Sequence, residues 1–140
     1  MFAESGPCVI TTVLGSCISI CLWDPVLRIG GMNHYLLPFW NGDGLQTPKY
    51  GNIAIRALMD RMLENGCRKM NLLAKVFGGA NTIGSSSGIL NIGERNISLA
   101  EKTLLEEKIT VVSNDTGGTS GRKVMFVTES GEVFVRKMHG

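Results

Sequence analysis

The chain has 140 residues, of which 44% are hydrophobic and 19% charged, a balance that favours one folded domain over residues 1–140 rather than a disordered chain. The formal net charge is only +2, and no run of lysine and arginine exceeds two residues, which argues against nucleic-acid binding. No apolar run reaches the roughly eighteen residues of a membrane span. The first residues also lack the pattern of a secretory signal, so we expect a cytoplasmic protein without membrane insertion.

Apolar and β-branched runs predict three strands near the start of the chain. They cover residues 8–13, 17–23 and 29–37, and Leu14-Gly15-Ser16 and Asp24-Pro25 interrupt them. The middle strand alternates with a period of two. Its odd-numbered residues from Cys17 to Trp23 face one way, and its even-numbered residues face the other.

Two helices are predicted further along the chain, one on each side of a strand at residues 70–77. A loop over residues 39–49 leads into the first helix, at residues 48–65, with Thr47 as the N-cap, Pro48 at the first helical position and Gly66 just past the end. A loop of small residues at 81–88 precedes the second helix, at residues 93–108.

The rest of the chain is predicted to be β-structure. A strand at residues 109–113 and a glycine-rich loop at 115–121 precede a hairpin of residues 123–128 and 132–138 around Ser130-Gly131. The order is therefore βββ-α-β-α-βββ. Two helices against a mixed sheet of about six strands predict an α/β sandwich rather than a doubly wound parallel fold.

Cys17 and His34 are the candidate chemical pair. If residues 24–27 connect the second and third strands, Trp23 lies opposite Arg28, and Cys17 lies opposite His34. Directly opposed Cβ atoms are roughly 5 Å apart, close enough for a thiol–imidazole hydrogen bond. A bulge at Gly30-Gly31 would shift this register by one residue.

The turn before Cys17 favours a nucleophile. The sharp bend at Gly15 and Ser16 exposes the next residue at the sheet edge, and the amide N–H groups of the turn can form an oxyanion hole. A facing imidazole would lower the thiol pKa and hold a thiolate–imidazolium pair. The alternative is that Cys17 is a small hydrophobic residue and His34 a satisfied core or interface residue.

A zinc site built from Cys17, Cys21 and His34 is the rival chemistry. Four residues of strand separate the two cysteines by ~13 Å, too far for one ion with sulfur bonds of ~2.3 Å. We expect no metal and no cofactor. The four cysteines are expected to be free thiols, with Cys8 and Cys67 in packing roles and His139 in a solvated tail.

Several motifs together resemble one family. They are Thr11-Thr12-Val13-Leu14-Gly15-Ser16-Cys17, His34-Tyr35-Leu36-Leu37-Pro38, Phe77-Gly78-Gly79-Ala80, Asn91-Ile92-Gly93-Glu94-Arg95-Asn96, and Asp115-Thr116-Gly117-Gly118 with Gly121-Arg122-Lys123-Val124. In this order the sequence resembles the chemoreceptor glutamine deamidases, the CheD family. The resemblance covers about residues 9 to 138.

The resemblance implies a cysteine-hydrolase α/β fold shared with certain bacterial toxin deamidases. It implies a nucleophile at Cys17, a base at His34 and an orienting threonine six residues before the cysteine, at Thr11, with Thr12 as the neighbouring alternative. Family members usually have a further strand before the position where this chain starts, and we expect residues 1–140 to lack it.

The resemblance also implies partners. Family members deamidate glutamines of methyl-accepting chemoreceptor cytoplasmic helices, and some bind CheC-type phosphatases. Two rival functions stay open at this point. One is a non-catalytic module that binds such a phosphatase, and the other is a cysteine hydrolase that acts on another bond, such as a peptidase or a transglutaminase.

Overall fold

The computed structural model describes residues 2–4, 6–38, 47, 49–81 and 92–138. These residues form eight strands and two helices: β1 (Phe2–Glu4), β2 (Val9–Leu14), β3 (Ile18–Asp24), β4 (Ile29–Met32), α1 (Gly51–Glu64), β5 (Leu73–Gly78), α2 (Ile92–Glu106), β6 (Thr110–Thr116), β7 (Gly121–Val127) and β8 (Val133–Met138). Within the described ranges, neither helix is long and apolar enough to cross a bilayer. Most of residues 39–49 and 81–88, together with Pro48 and His139, lie outside these ranges.

The strands form two sheets rather than one. The larger sheet has the order β1-β4-β3-β5-β6, in which only β5 and β6 are parallel, and the smaller sheet has the antiparallel order β2-β7-β8. The predicted α/β class with two helices is confirmed. The short strand β1 was not predicted, because three residues are too few to show a period and its pairing with β4 defines it.

The central strands of the larger sheet, β4, β3 and β5, are buried on both faces. Ile18, Ile20 and Leu22 of β3 pack against the two helices, whereas Cys21 and Trp23 face the smaller sheet. This confirms the predicted alternation of β3. A strand covered on both faces is nearly continuously buried, as β3 is, and the molecule therefore has three layers: helices, large sheet and small sheet.

Helix α1 begins later than predicted and ends as predicted. Its N-cap is Tyr50 without a side-chain cap, so Thr47 does not cap it. The reason is that Tyr50 is extended and forms an isolated bridge with Leu37, and the Gly51 amide donates to Leu37 O at 2.7 Å. Gly66 has φ 94°, and the Cys67 amide donates to Met62 O at 3.1 Å, the pattern of a Schellman C-cap.

The hairpin of β3 and β4 has a register two residues away from the predicted one. Trp23 pairs with Gly30 rather than Arg28, and Asp24 pairs with Ile29. Asp24 remains in the strand because its Oδ1 accepts hydrogen bonds from two amides of the turn, those of Val26 at 2.8 Å and Leu27 at 3.1 Å. The connecting loop is therefore residues 25–28. Cys17 is consequently not directly opposite His34.

Candidate functional site

Cys17 lies where the chain crosses from one sheet to the other. Strand β2 belongs to the small sheet and β3 to the large sheet, so Gly15 and Ser16 carry the chain across the seam between them. The Cys17 side chain is half-buried and packs against the apolar cluster between the sheets. All four cysteines are free. Cys17 is thus partly accessible, whereas Cys21 on the same face is buried.

The carbonyl groups of residues 15–17, which form the crossing between the sheets, are fixed by hydrogen bonds. Gly15 O accepts from the Ala80 amide at 3.0 Å, and Cys17 O accepts from the Gly79 amide at 2.8 Å. Ser16 O accepts from Asn96 Nδ2 at 3.0 Å. In a trans peptide the N–H points away from the preceding C=O, so these contacts turn the Ser16 and Cys17 amides to the opposite side. The two amides are the candidate oxyanion hole.

Gly78 explains how the end of β5 approaches the crossing so closely. It has φ 109°, and a Cβ at this position would lie 2.1 Å from Cys17 O. Gly79 follows with φ 72°, so two consecutive residues of this turn have positive φ, which glycine adopts readily. The buried Arg122 guanidinium links this turn to the loop at Gly117. Its Nη1 donates to Gly78 O at 2.7 Å, and its Nη2 donates to Gly117 O at 2.6 Å.

His34 lies on the same face of the large sheet as Cys17. Ile18 and Tyr35 exchange backbone hydrogen bonds of 3.1 and 2.9 Å, so Cys17 and His34 each precede one member of a directly paired couple. Such positions are diagonal neighbours, with Cα atoms roughly 7–8 Å apart in regular strands. Because the register error is two residues, the side chains keep the predicted common face.

A threonine of β2 contacts the imidazole, and it is Thr12 rather than Thr11. Thr12 Oγ1 lies 2.9 Å from His34 Nδ1. Thr11 points to the exposed face of the small sheet, since burial alternates along β2. The predicted position is therefore corrected by one residue. If Nδ1 carries the proton and donates to Thr12, Nε2 is left as the basic nitrogen.

Burial shifts the pKa values of both side chains in the direction that favours their neutral forms. Burial raises the pKa of the Cys17 thiol, and a hydrogen bond from its own backbone amide lowers it to a smaller extent. Burial lowers the pKa of His34. Nε2 of His34 is buried and has no hydrogen-bond partner among the described residues. His34 Nε2 therefore makes no hydrogen bond to the thiol in this structure, and both pKa shifts run against a preformed thiolate–imidazolium pair, which stays a prediction.

Comparisons with known proteins agree with the motifs. A family model described as CheD chemotactic sensory transduction matches residues 36–137. A probable chemoreceptor glutamine deamidase CheD of Trichlorobacter lovleyi is 55% identical over 132 residues, which cover 94% of this chain and 82% of that protein. A protein of the same name from Sulfurimonas denitrificans is 49% identical over 138 residues, which cover 97% of this chain and 88% of that protein. This chain belongs to the CheD family.

The extent of these matches matters for the candidate site. The CheD family model begins at residue 36, after both Cys17 and His34. The match to the Sulfurimonas denitrificans protein leaves about 3% of 140 residues, or about four residues, unmatched, so it also spans the crossing and the hairpin. The family membership thus rests on the whole chain, whereas the roles of the two side chains rest on the geometry of the seam.

Sequence reasoning missed two residues that build the site. Asn96 and Arg122 occur in motifs that resemble the family, but neither received a role. Both are fully or nearly fully buried and donate to backbone carbonyls around the crossing. A buried polar residue on an otherwise apolar helix face was the available indication for Asn96, because such residues are normally hydrogen-bonded.

Proposed function

We propose that this chain is a protein-glutamine deamidase that converts glutamine side chains of bacterial chemoreceptors to glutamate with release of ammonia. The observation that supports it most strongly is the His34 imidazole, held by Thr12 at Nδ1 with Nε2 unpartnered, on the same face as the half-buried Cys17 thiol. The relatives' names supply the substrate class: they are chemoreceptor glutamine deamidases.

The first half of the reaction forms a thioester. As a glutamine side chain enters, His34 Nε2 takes the proton of Cys17, and the sulfur attacks the carboxamide carbon. The amides of Ser16 and Cys17 donate to the oxyanion. His34 then returns the proton to the departing nitrogen, and the C–N bond breaks to release ammonia. A neutral imidazole suits the first step, since only the unprotonated ring can accept the proton.

The second half hydrolyses the thioester. His34 takes a proton from water, and the hydroxide formed attacks the thioester carbon. The C–S bond breaks, and the sulfur leaves with the proton as the Cys17 thiol. The net reaction is glutamine plus water to glutamate plus ammonia. Thr12 acts throughout by fixing the ring orientation.

The setting of the reaction is part of the proposal. The substrates are the cytoplasmic helices of methyl-accepting chemoreceptors, and the reaction takes place in the cytoplasm without a cofactor. A CheC-type phosphatase is a proposed protein partner. The fold is proposed to be that of the cysteine hydrolases, including the toxin deamidases.

Ammonia release from a purified receptor cytoplasmic fragment tests the activity. The wild-type chain should release ammonia, and Cys17→Ala should release none because the nucleophile is gone. Cys21→Ala is the matched control, since Cys21 is a buried cysteine on the same strand face and should leave kcat nearly unchanged. Full activity in Cys17→Ala would rule out the mechanism.

A non-catalytic binding module is the rival. The raised pKa of Cys17 and the absence of a thiol–imidazole hydrogen bond between these two described residues are the observations that favour it. Binding of a CheC-type phosphatase without ammonia release from any receptor fragment would support this rival. Substrate profiling with free glutamine, peptides and receptor helices separates the deamidase from a peptidase or a transglutaminase.

A further inference from the structure

Asn96 joins the two chain segments that carry the cysteine and the histidine. Its Nδ2 donates to Ser16 O and to Leu36 O, both at 3.0 Å. Its backbone carbonyl accepts from Tyr35 Oη at 2.7 Å. Ser16 directly precedes Cys17, and Tyr35 and Leu36 directly follow His34. One residue of α2 therefore contacts both segments next to the reacting side chains.

The nitrogen of the side chain fits this place, whereas Oδ1 is buried without a hydrogen-bond partner among the described residues. Asn96 is 0% exposed. Asparagine is a weak helix former, and a buried amide is costly unless it is hydrogen-bonded. A primary amide carries two N–H donors on one nitrogen, which match the two carbonyl acceptors. An apolar side chain of similar size would leave both carbonyls without this donor.

The helix that carries Asn96 is itself fixed against the site. Gly93, one turn earlier, packs so closely that a Cβ there would lie 2.5 Å from Gly79 O and 2.7 Å from Ala80 O. The amides of Gly79 and Ala80 donate to the carbonyls of the crossing. The start of α2 is thus held against the same turn that holds Cys17, and the Asn96 amide has a fixed position relative to it.

We propose that Asn96 is a positioning residue that sets the separation of Cys17 and His34, an inference that rests on the proposed deamidase function. It touches neither reacting side chain and acts through Ser16 and Leu36. Without the amide, the two segments separate, and His34 Nε2 no longer reaches the thiol when substrate is bound.

Three variants isolate this role. Asn96→Leu keeps the approximate side-chain size and removes both donors, and Asn96→Ala is the second variant if leucine does not fit. Leu104→Val is the matched control, because Leu104 is a buried residue of the same helix ~12 Å further along its axis. Thermal melting fixes an assay temperature at which all variants are folded.

The first measurement is steady-state deamidation of a receptor fragment. We expect kcat of Asn96→Leu and Asn96→Ala to fall about thirtyfold or more, with KM within about threefold, since the loss concerns geometry in the transition state. Leu104→Val should keep both parameters within about threefold. A purely structural role would lower activity only in proportion to the unfolded fraction.

The second measurement does not depend on activity. Nuclear magnetic resonance follows the ring titration of His34, which is one of only two histidines. In Asn96→Leu we expect the His34 midpoint to move from its lowered position toward the ordinary value of about 6.5, because the ring becomes more hydrated. Leu104→Val should leave the midpoint unchanged.

The two measurements separate the possible failures. If the wild-type chain releases no ammonia, the proposed function fails, and the His34 titration alone decides whether Asn96 positions the ring. If the wild-type chain is active but both Asn96 variants keep kcat within about threefold, Asn96 is not a positioning residue. An unmoved His34 midpoint in both Asn96 variants also overturns the inference.

Discussion

At the scale of single residues, the site depends on one hydrogen bond to one imidazole nitrogen. Thr12 and Thr11 are chemically identical neighbours, and only Thr12 faces the seam and reaches His34. The sequence located the threonine to within one position because the motif contains both. Which threonine faces His34 depends on which residues of β2 point inward, and burial alternates along this strand. The outward-facing residues of β2 include apolar ones, so the sequence pattern does not show which face is buried.

The threonine pair provides a matched test. Thr12→Val removes the contact to Nδ1, and we expect kcat for ammonia release to fall about tenfold to hundredfold because the ring loses its orientation. Thr11→Val changes an exposed side chain of the same strand and should leave kcat nearly unchanged. The reverse result, with Thr11→Val impaired and Thr12→Val normal, would contradict the assignment.

The half-buried His34 should make the stability of the folded protein depend on pH. The folded-state pKa of His34 is lowered, so the folded protein binds this proton less tightly than the unfolded chain. The resulting stability is fully present above the unfolded value of about 6.5 and is lost as the pH falls from there through the lowered folded pKa. In chemical denaturation, wild type should lose stability over this window faster than His34→Gln. Parallel pH curves would show that the ring is not buried.

At the scale of elements, the ends of strands and helices were less predictable than their existence. The two helices and the terminal hairpin follow from periodicity and from Gly66 and Gly131, both of which have positive φ. The start of α1 and the register of β3 with β4 were mispredicted, because a backbone contact to Leu37 and the side chain of Asp24 determine them. Such tertiary and side-chain contacts leave no period in the sequence.

The turn at the end of β5 offers a test at this scale. Gly78→Ala places a methyl group against Cys17 O and should lower stability by about 2 kcal/mol or more and reduce kcat, since the nucleophile must move. Gly117→Ala is the control: it also has positive φ, but no atom lies within 4 Å of the added Cβ. It should cost about 1–2 kcal/mol and leave kcat nearly unchanged. Equal kcat losses in both variants would show that the close contact of Gly78 with Cys17 O does not position the nucleophile.

At the scale of the whole molecule, the seam between two sheets creates the site. Composition and element order predicted an α/β molecule with two helices, but not that β2 leaves the sheet of its neighbour β3. Nothing local distinguishes a strand that pairs with β7 from one that pairs with β3. Pairing between distant strands is set by the total packing of the two cores, which a linear pattern does not contain.

The core between the sheets should therefore carry much of the stability. Phe126 is fully buried, and its ring lies against Gly30, where an added Cβ would be 2.7 Å from Cζ. Phe126→Ala should lower the free energy of unfolding by about 3–5 kcal/mol. Phe134→Ala, in the neighbouring strand but 55% exposed, should cost about 1 kcal/mol or less. If urea unfolding gave similar losses of unfolding free energy for the two variants, the core between the sheets would not be the main source of stability.

In the proposed mechanism, Cys17 hydrolyses a receptor glutamine through a thioester. Mass spectrometry of a receptor fragment in water enriched in oxygen-18 tests it most directly, because hydrolysis adds one oxygen from the solvent. With wild-type protein, converted glutamines should gain about three daltons, against about one dalton in ordinary water, and with Cys17→Ala they should gain nothing. Conversion by Cys17→Ala at the wild-type rate would contradict the account.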